Sequence, residues 1–260
     1  MTSPVYHRSL RHEYELYVER EIEAYKESVP RSVLLSIGDE AVRSLAAAPQ
    51  FALTELLLWE EVDRIIRLRL GIPSFQAWRR RRLRRLAAYR RPEHWGFDAD
   101  TPIVRSAIGQ SEARVLVMGA TTEGSALYLA AHGCEVTTVE PSDDAVERVM
   151  AAAFDAGITG RVHGLVANPG SFAPDAPLTA VVCTAAAFAG LSLAERTQAI
   201  TTLQSATLDG GVHLVQTIVA GHASLTLEEL AERYHGWSMS VTPADSGPTL
   251  IARKGAAEVS

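Results

Sequence analysis

Val115-Leu116-Val117-Met118-Gly119-Ala120-Thr121-Thr122-Glu123-Gly124, continued at Val139-Glu140, decides the fold. The apolar run from Arg114 ends on a glycine and predicts a short buried strand. Glu123–Gly133 has helical character and closes on another glycine. Glu135–Glu140 is rich in β-branched residues and ends in an acid, predicting a second strand. Strand, glycine turn, helix, strand, acid is the pattern with which a chain holds a dinucleotide or a nucleoside. The turn brings backbone amides and a helix N-terminus to the ligand, and the acid accepts hydrogen bonds from two ribose hydroxyls. Gly119 and Glu140 are 21 residues apart, against the roughly 20 such a unit needs.

Downstream the same rhythm continues. Pro141-Ser142-Asp143 opens a helix to about Ala156, and Val162–Ala167 reads as a third strand. Leu178–Thr184 is a fourth strand, and a helix from Ser192 or Leu193 runs to about Leu208. Asp209-Gly210-Gly211 turns into a fifth strand, Val212–Ile218. A helix from Thr226 to about Tyr234 precedes two closely spaced strands, Ser238–Thr242 and Thr249–Arg253, suited to an antiparallel hairpin at a sheet edge. Alternating strands and helices predict a parallel sheet covered on both faces.

Upstream the pattern is helical. Tyr14, Tyr17, Val18, Ile22 and Tyr25 recur at three- and four-residue steps; further apolar-periodic stretches run over 33–47 and 53–70. A fourth helix begins near Ser74 and carries the run Arg79-Arg80-Arg81-Arg82-Leu83-Arg84-Arg85. On a helical projection Arg80, Arg84 and Arg91 lie opposite the apolar face, while Arg79 and Arg82 border it and can pack their stems there. Arg91-Pro92-Glu93-His94-Trp95-Gly96 breaks the pattern and starts a connector. The expected organisation is an all-helical region at 1–105 and an α/β domain at 106–260.

Composition narrows the function. The chain has 260 residues and a net charge of −6. Residues 1–110 hold 18 basic and 15 acidic side chains, a balance of +3, whereas 111–260 hold 7 and 16, a balance of −9. An acidic chain argues against non-specific nucleic-acid binding. The longest nearly apolar run, Leu178–Leu191, has 14 residues, short of the roughly 20 of a membrane span. With no signal peptide in view, a cytoplasmic location is expected. Cys134 and Cys183 form no Cys-x-x-Cys pair, and the eight histidines show no ligand spacing, so neither a disulfide framework nor a metal site is expected.

The α/β half resembles the class I S-adenosylmethionine-dependent methyltransferases, and most the tellurite-resistance type of small-molecule methyltransferase. The resemblance covers Arg114 to Lys254. It rests on Gly119, on Ser125-Ala126-Leu127-Tyr128-Leu129-Ala130-Ala131-His132-Gly133, on Glu140, on Val181-Val182-Cys183-Thr184, on Leu208-Asp209-Gly210-Gly211, and on the order of the seven strands. It implies a Rossmann-like seven-stranded sheet and S-adenosylmethionine as cofactor. Gly119, Ala120 and Thr121 would form the cofactor loop. Glu140 would hold the ribose, Asn168 the adenine side, and Thr184 the floor beneath the methionine moiety. The loop departs from the family's acid followed by Gly-x-Gly-x-Gly: Val117 replaces the acid, and Thr121 and Glu123 replace the second and third glycines.

No catalytic residue is assigned, because methyl transfer to an already nucleophilic acceptor needs positioning more than acid–base help. His94 and Trp95, in the segment before the first strand, and His222, after the fifth, are candidates for facing the acceptor. Three functions stay open: methyl transfer to a small-molecule acceptor; a non-catalytic binding or scaffold module of the same fold; and an RNA methyltransferase using the arginine helix. The N-terminal helices are expected to cap the acceptor pocket or to pair subunits as a homodimer.

Overall fold

The computed structural model describes residues 9–46, 55–106, 113–119, 123–217, 225–243 and 247–255. Contacts divide the chain into two compact units, residues 1–81 and 82–260. Residues 82–105, expected with the helical region, group with the sheet in this division.

The first unit contains α1 (Leu10–Ser28), α2 (Arg31–Ala46), α3 (Glu55–Arg69) and the start of α4 (Phe75–Tyr89). Ser9 caps α1 by accepting from the His12 amide at 3.2 Å, satisfying a donor the helix leaves open. Ile22, Ile37, Ala41, Val62, Ile65 and Ile66 form its buried core. Beside them the Tyr14 hydroxyl donates to the Pro73 carbonyl at 2.7 Å, and its ring packs on Phe75 and Trp78.

The second unit is built on seven strands: β1 (Arg114–Met118), β2 (Glu135–Glu140), β3 (Val162–Val166), β4 (Leu178–Cys183), β5 (Thr207–Gln216), β6 (Ser238–Thr242) and β7 (Thr249–Arg253). Their order is β3-β2-β1-β4-β5-β7-β6. The first five are parallel, and β7 runs antiparallel to both β5 and β6. Successive side chains point to opposite faces, so one run of apolar residues supplies two cores. Val115, Val117, Val182 and Leu214 join the core beneath α6 (Gly124–Ala131) and α7 (Asp143–Ala156). Leu116, Met118, Val181 and Val215 join the core formed with α8 (Ala185–Phe188), α9 (Leu193–Ala206) and α10 (Leu227–Arg233). Burial on both faces is what makes these strands read as continuous apolar runs. The Ser192–Glu195 capping box starts α9, and the Thr226 hydroxyl accepts from the Glu229 amide to start α10.

Two expectations are corrected. The fifth strand begins at Thr207, not Val212, and Asp209-Gly210-Gly211 lies within it. Leu178 pairs with Thr207 and Ala180 with Val212, so three extra residues bulge out of β5. Gly210 takes the left-handed conformation there (φ 77°) and donates to the Lys254 carbonyl at 3.2 Å. Ile218 lies outside the described residues.

The arginine run is the second. Arg82 does more than pack its stem: its guanidinium donates to the Gly157 carbonyl at 2.9 Å. Arg85 donates to the Asp155 carbonyl at 3.0 Å and pairs with its carboxylate at 3.1 Å. Arg90 donates to the Ala131 carbonyl at 2.8 Å. These acceptors are the open carbonyls at the C-terminal ends of α7 and α6, where the helix dipole favours a cation. Arg79, Arg80, Arg81 and Arg84 are exposed.

Candidate functional site

The strand registers bring three of the sequence-predicted residues to one level. Met118 pairs with Val139 on one side and with Cys183 on the other. Gly119, Glu140 and Thr184, each one residue further on, therefore stand side by side at the carboxyl edge of β2, β1 and β4. With neighbouring strands about 4.8 Å apart, Glu140 and Thr184 are separated by about 10 Å across Gly119. This is also where the sheet order reverses, and α/β folds open a ligand crevice there.

Local chemistry locks the level in place. The Gly119 amide donates to the Val139 carbonyl at 3.2 Å, and the Thr184 amide to the Met118 carbonyl at 3.2 Å. The Thr184 hydroxyl donates to the Gly119 carbonyl. Thr184 is thus the N-cap residue of α8 without spending its side chain on that cap. Gly119 is left-handed (φ 66°), and a β-carbon there would lie 2.8 Å from the Ala186 carbonyl carbon and 2.6 Å from the Ala187 Cα. Glycine is required on both counts.

Glu140 is only 2% exposed. Its carboxylate accepts from the Thr138 hydroxyl at 3.2 Å, and its carbonyl accepts from the Ala167 amide at 3.0 Å. A carboxylate held at the buried end of a strand suits a ligand that brings hydroxyl donors. Asn168 follows β3 on the same edge and is exposed, with its side-chain oxygen accepting from the Gly170 amide at 2.9 Å. Its side chain shapes a turn of its own. Ala120 and Thr121 lie outside the described residues, as does His222.

Two departures of the loop acquire structural reasons. Val117 is fully buried in the core under α6 and α7. Glu123 sits immediately before α6 in helical conformation (φ −66°, ψ −12°), where a negative charge complements the helix N-terminus. Gly124 is the first residue of α6 and is buried.

Beside this edge lies a cavity of about 450 Å³, on the α6 side of the sheet. Val182, Cys183, Thr184, Leu214 and Gln216 supply its sheet wall, with Ser125 from α6, Pro243 and Thr249. The opposite wall is the strap Gly96–Ile103: Gly96, Phe97, Asp98, Asp100, Thr101, Pro102 and Ile103 all line it. Phe97 anchors the strap by an edge-on contact with the Tyr128 ring of α6, centroids 5.6 Å apart. The Gln216 side-chain oxygen accepts from the Ala185 amide at 3.2 Å, tying the cavity wall to the start of α8.

His94 and Trp95 are not among the described residues of that wall. They form the 3-10 turn Pro92–Trp95 just before it. Trp95 packs on the core and donates its indole N–H to the Tyr89 carbonyl at 2.9 Å, while His94 is exposed and meets Tyr89 at a tilt and Trp95 edge-on. The connector was legible as a cleft-lining segment, but its walls begin at Gly96. The signal for Gln216 was also present: it is the polar end of an apolar parallel strand, and such ends share one edge.

Two other chemical groups are set aside by their surroundings. Burial pushes the Cys183 thiol up to about 12 and the Cys134 thiol up to about 11, so both stay protonated and neither is an activated nucleophile. His213 is buried on the opposite face of β5 from Leu214, among Tyr234 and Trp237. The Thr207 hydroxyl donates to the Leu203 carbonyl at 2.7 Å, so it accepts from His213 Nε2–H at 2.7 Å, and His213 Nδ1 accepts from the Tyr234 hydroxyl at 2.7 Å. Burial, reinforced by Lys254, lowers His213 to about 3. Among the described residues no group of histidine, cysteine or acidic side chains could hold a metal ion, and no helix is long and apolar enough to cross a membrane.

No family model matches the chain, and no curated protein matches it by sequence. Solved structures do match. TehB from Haemophilus influenzae is 18% identical over 58% of this chain and 61% of its own, with a TM-score of 0.50. The N-methyltransferase NodS from Bradyrhizobium japonicum is 13% identical over 60% of this chain and 94% of its own, also at 0.50. The glycopeptide N-methyltransferase MtfA complexed with sinefungin is 15% identical over 61% of this chain and 87% of its own, again at 0.50. The sheet unit has the class I methyltransferase fold.

Proposed function

We propose that this chain binds S-adenosylmethionine along the Gly119–Glu140–Thr184 edge and catalyses transfer of its methyl group to a small-molecule acceptor in the adjoining cavity. The observation that carries the reading is the shared level of those three residues with a cavity of about 450 Å³ directly beside Thr184. The residues fit the cofactor: a left-handed glycine shapes the turn after β1, and a buried carboxylate is an acceptor of the kind ribose hydroxyls need. When bound, S-adenosylmethionine supplies an electrophilic methyl group.

The chain's own residues do the rest. Glu140 accepts hydrogen bonds from the vicinal hydroxyls of the ribose. Thr184 fixes the floor by holding the Gly119 carbonyl. Asn168 places its turn at the adenine side. Gly96–Ile103 screens the acceptor from water, and Gln216 and Thr184 offer it polar contacts within a largely apolar wall. Positioning and desolvation of this kind are sufficient for an acceptor that is already nucleophilic.

Arg82, Arg85 and Arg90 are committed to helix ends, which leaves only the exposed Arg79, Arg80, Arg81 and Arg84 of the run for an RNA acceptor; the small-molecule reading rests on the cavity. We assign residues 1–105 to capping the acceptor pocket or to pairing subunits, and 106–260 to methyl transfer. Leu35, Leu56 and Trp59 stand 61%, 69% and 56% exposed on α2 and α3, apolar side chains that a second copy would cover; if subunits pair, light scattering should return twice 28.1 kDa. The test of the function is titration of wild-type and Glu140→Ala protein with S-adenosylhomocysteine: equal affinities would remove its basis.

A further inference from the structure

The cavity beside Thr184 has an uneven charge. Its sheet and strap walls are apolar at Phe97, Ile103, Val182 and Leu214, and its polar groups are mostly neutral. Among the described lining residues the only ionisable groups besides the protonated Cys183 thiol are two carboxylates, Asp98 and Asp100, both on the strap, and none is a lysine, arginine or histidine.

Neither carboxylate is neutralised by a cation among the described residues. Upstream of the strap, Arg85 and Arg90 spend their charge on α7 and α6, and the two arginines nearest in sequence, Arg91 and Arg105, form no ion pair with either carboxylate. Asp98 is also held in position. Its Oδ1 accepts from the Asp100 amide at 2.9 Å and from the Thr101 hydroxyl at 3.0 Å, while the Thr101 oxygen accepts from the Asp98 amide at 2.9 Å. A negative rim thus stands over an apolar floor.

We propose that this pocket selects a small organic cation, an ammonium group carried on an apolar body whose nucleophilic atom is a separate, uncharged group, as its acceptor-site ligand. The inference rests on the methyl-transfer reading for the word acceptor, but the charge preference stands on the cavity alone. A carboxylate of the same shape meets two like charges and is rejected; the cation is drawn to the strap while its body lies on Val182 and Leu214. Charge complementarity of this kind sets specificity more than raw affinity.

The experiment is a ligand-observed NMR titration of the full chain with three probes of one shape: benzylammonium, benzyl alcohol and benzoate. At low salt the expected order is benzylammonium, then the alcohol, then benzoate, with about a tenfold spread between the ends, narrowing as salt screens the strap. The double variant Asp98→Asn/Asp100→Asn should lose most of that spread. Asparagine at 98 keeps an oxygen for the Asp100 amide and Thr101, so the strap retains its turn. The control Glu228→Gln/Glu232→Gln removes the same charge from exposed positions of α10 and should keep the spread.

Equal binding of benzoate and benzylammonium overturns the proposal, as does a spread that survives in the Asp98→Asn/Asp100→Asn protein or binding of none of the three. S-adenosylhomocysteine titrated into the same samples separates the two readings. Cofactor binding without cation preference sinks the pocket assignment alone. Cation preference without cofactor binding sinks methyl transfer and leaves a cation-binding pocket.

Discussion

The Thr184 hydroxyl donates to the carbonyl of Gly119, joining the ends of β1 and β4 where the sheet order reverses. The bond fixes the backbone of a glycine that has no space for a side chain. Because α8 packs directly over Gly119, its position and the shape of the edge depend on each other.

Gly119→Ala should therefore cost stability as well as binding. The left-handed φ of 66° adds about 1–2 kcal/mol for any residue with a β-carbon, and overpacking against Ala186 and Ala187 adds about 1–3 kcal/mol. A lower urea midpoint with an unchanged slope is the expected result. A midpoint equal to wild type would show that α8 does not press on Gly119.

Replacing Glu140 acts on the ligand. Hydrogen bonds to a charged group are worth about 1.5–3 kcal/mol, so Glu140→Gln should weaken S-adenosylhomocysteine binding about tenfold to a hundredfold. Calorimetry reads this directly. A change of less than twofold would place the ribose elsewhere.

These two positions were legible in sequence because spacing along the chain sets their spacing in space. Gly119 ends one strand and Glu140 the next, and parallel pairing brings both to one edge. The caps at Ser192 and Thr226 were legible for the same local reason. The strap was legible only in part: the connector could be placed near the cleft, but Gly96–Ile103 meets β4, β5 and α6 through the tertiary fold, which the aromatic pair His94 and Trp95 does not reveal. The β5 bulge was hidden because Asp-Gly-Gly reads equally as a turn or as an irregular strand. The arginines misled because periodicity locates a stem but not a guanidinium, which reaches past the apolar stripe to helix ends.

Those arginines make the third prediction. Arg90→Ala leaves the Ala131 carbonyl without its donor, with Arg161 on Gly133 remaining near the end of α6, and should cost about 1 kcal/mol. Arg80→Ala, at an exposed position, should stay within about 0.5 kcal/mol of wild type. Equal losses in chemical denaturation would contradict the assignment of Arg90 to α6.

The fourth concerns pH. His213 has a folded value of about 3 against an ordinary 6.5, so between these values the unfolded chain binds the proton and the folded chain does not. Its contribution to stability is full above about pH 6.5 and is lost as pH falls toward 3, with a slope approaching about 1.4 kcal/mol per unit. His213→Gln should flatten the wild-type slope between pH 6 and 4 by about one proton. Parallel slopes for the two proteins would mean that His213 is charged in the native state or is not buried.

The central claim is that the edge marked by Gly119, Glu140 and Thr184 is a cofactor site despite Val117, Thr121 and Glu123 in its loop. Calorimetric titration of the full chain with S-adenosylmethionine and S-adenosylhomocysteine tests it most directly. The expected result is one site per chain with micromolar affinity, about −8 kcal/mol. No detectable heat at millimolar ligand would contradict it and leave a methyltransferase fold that works without the cofactor.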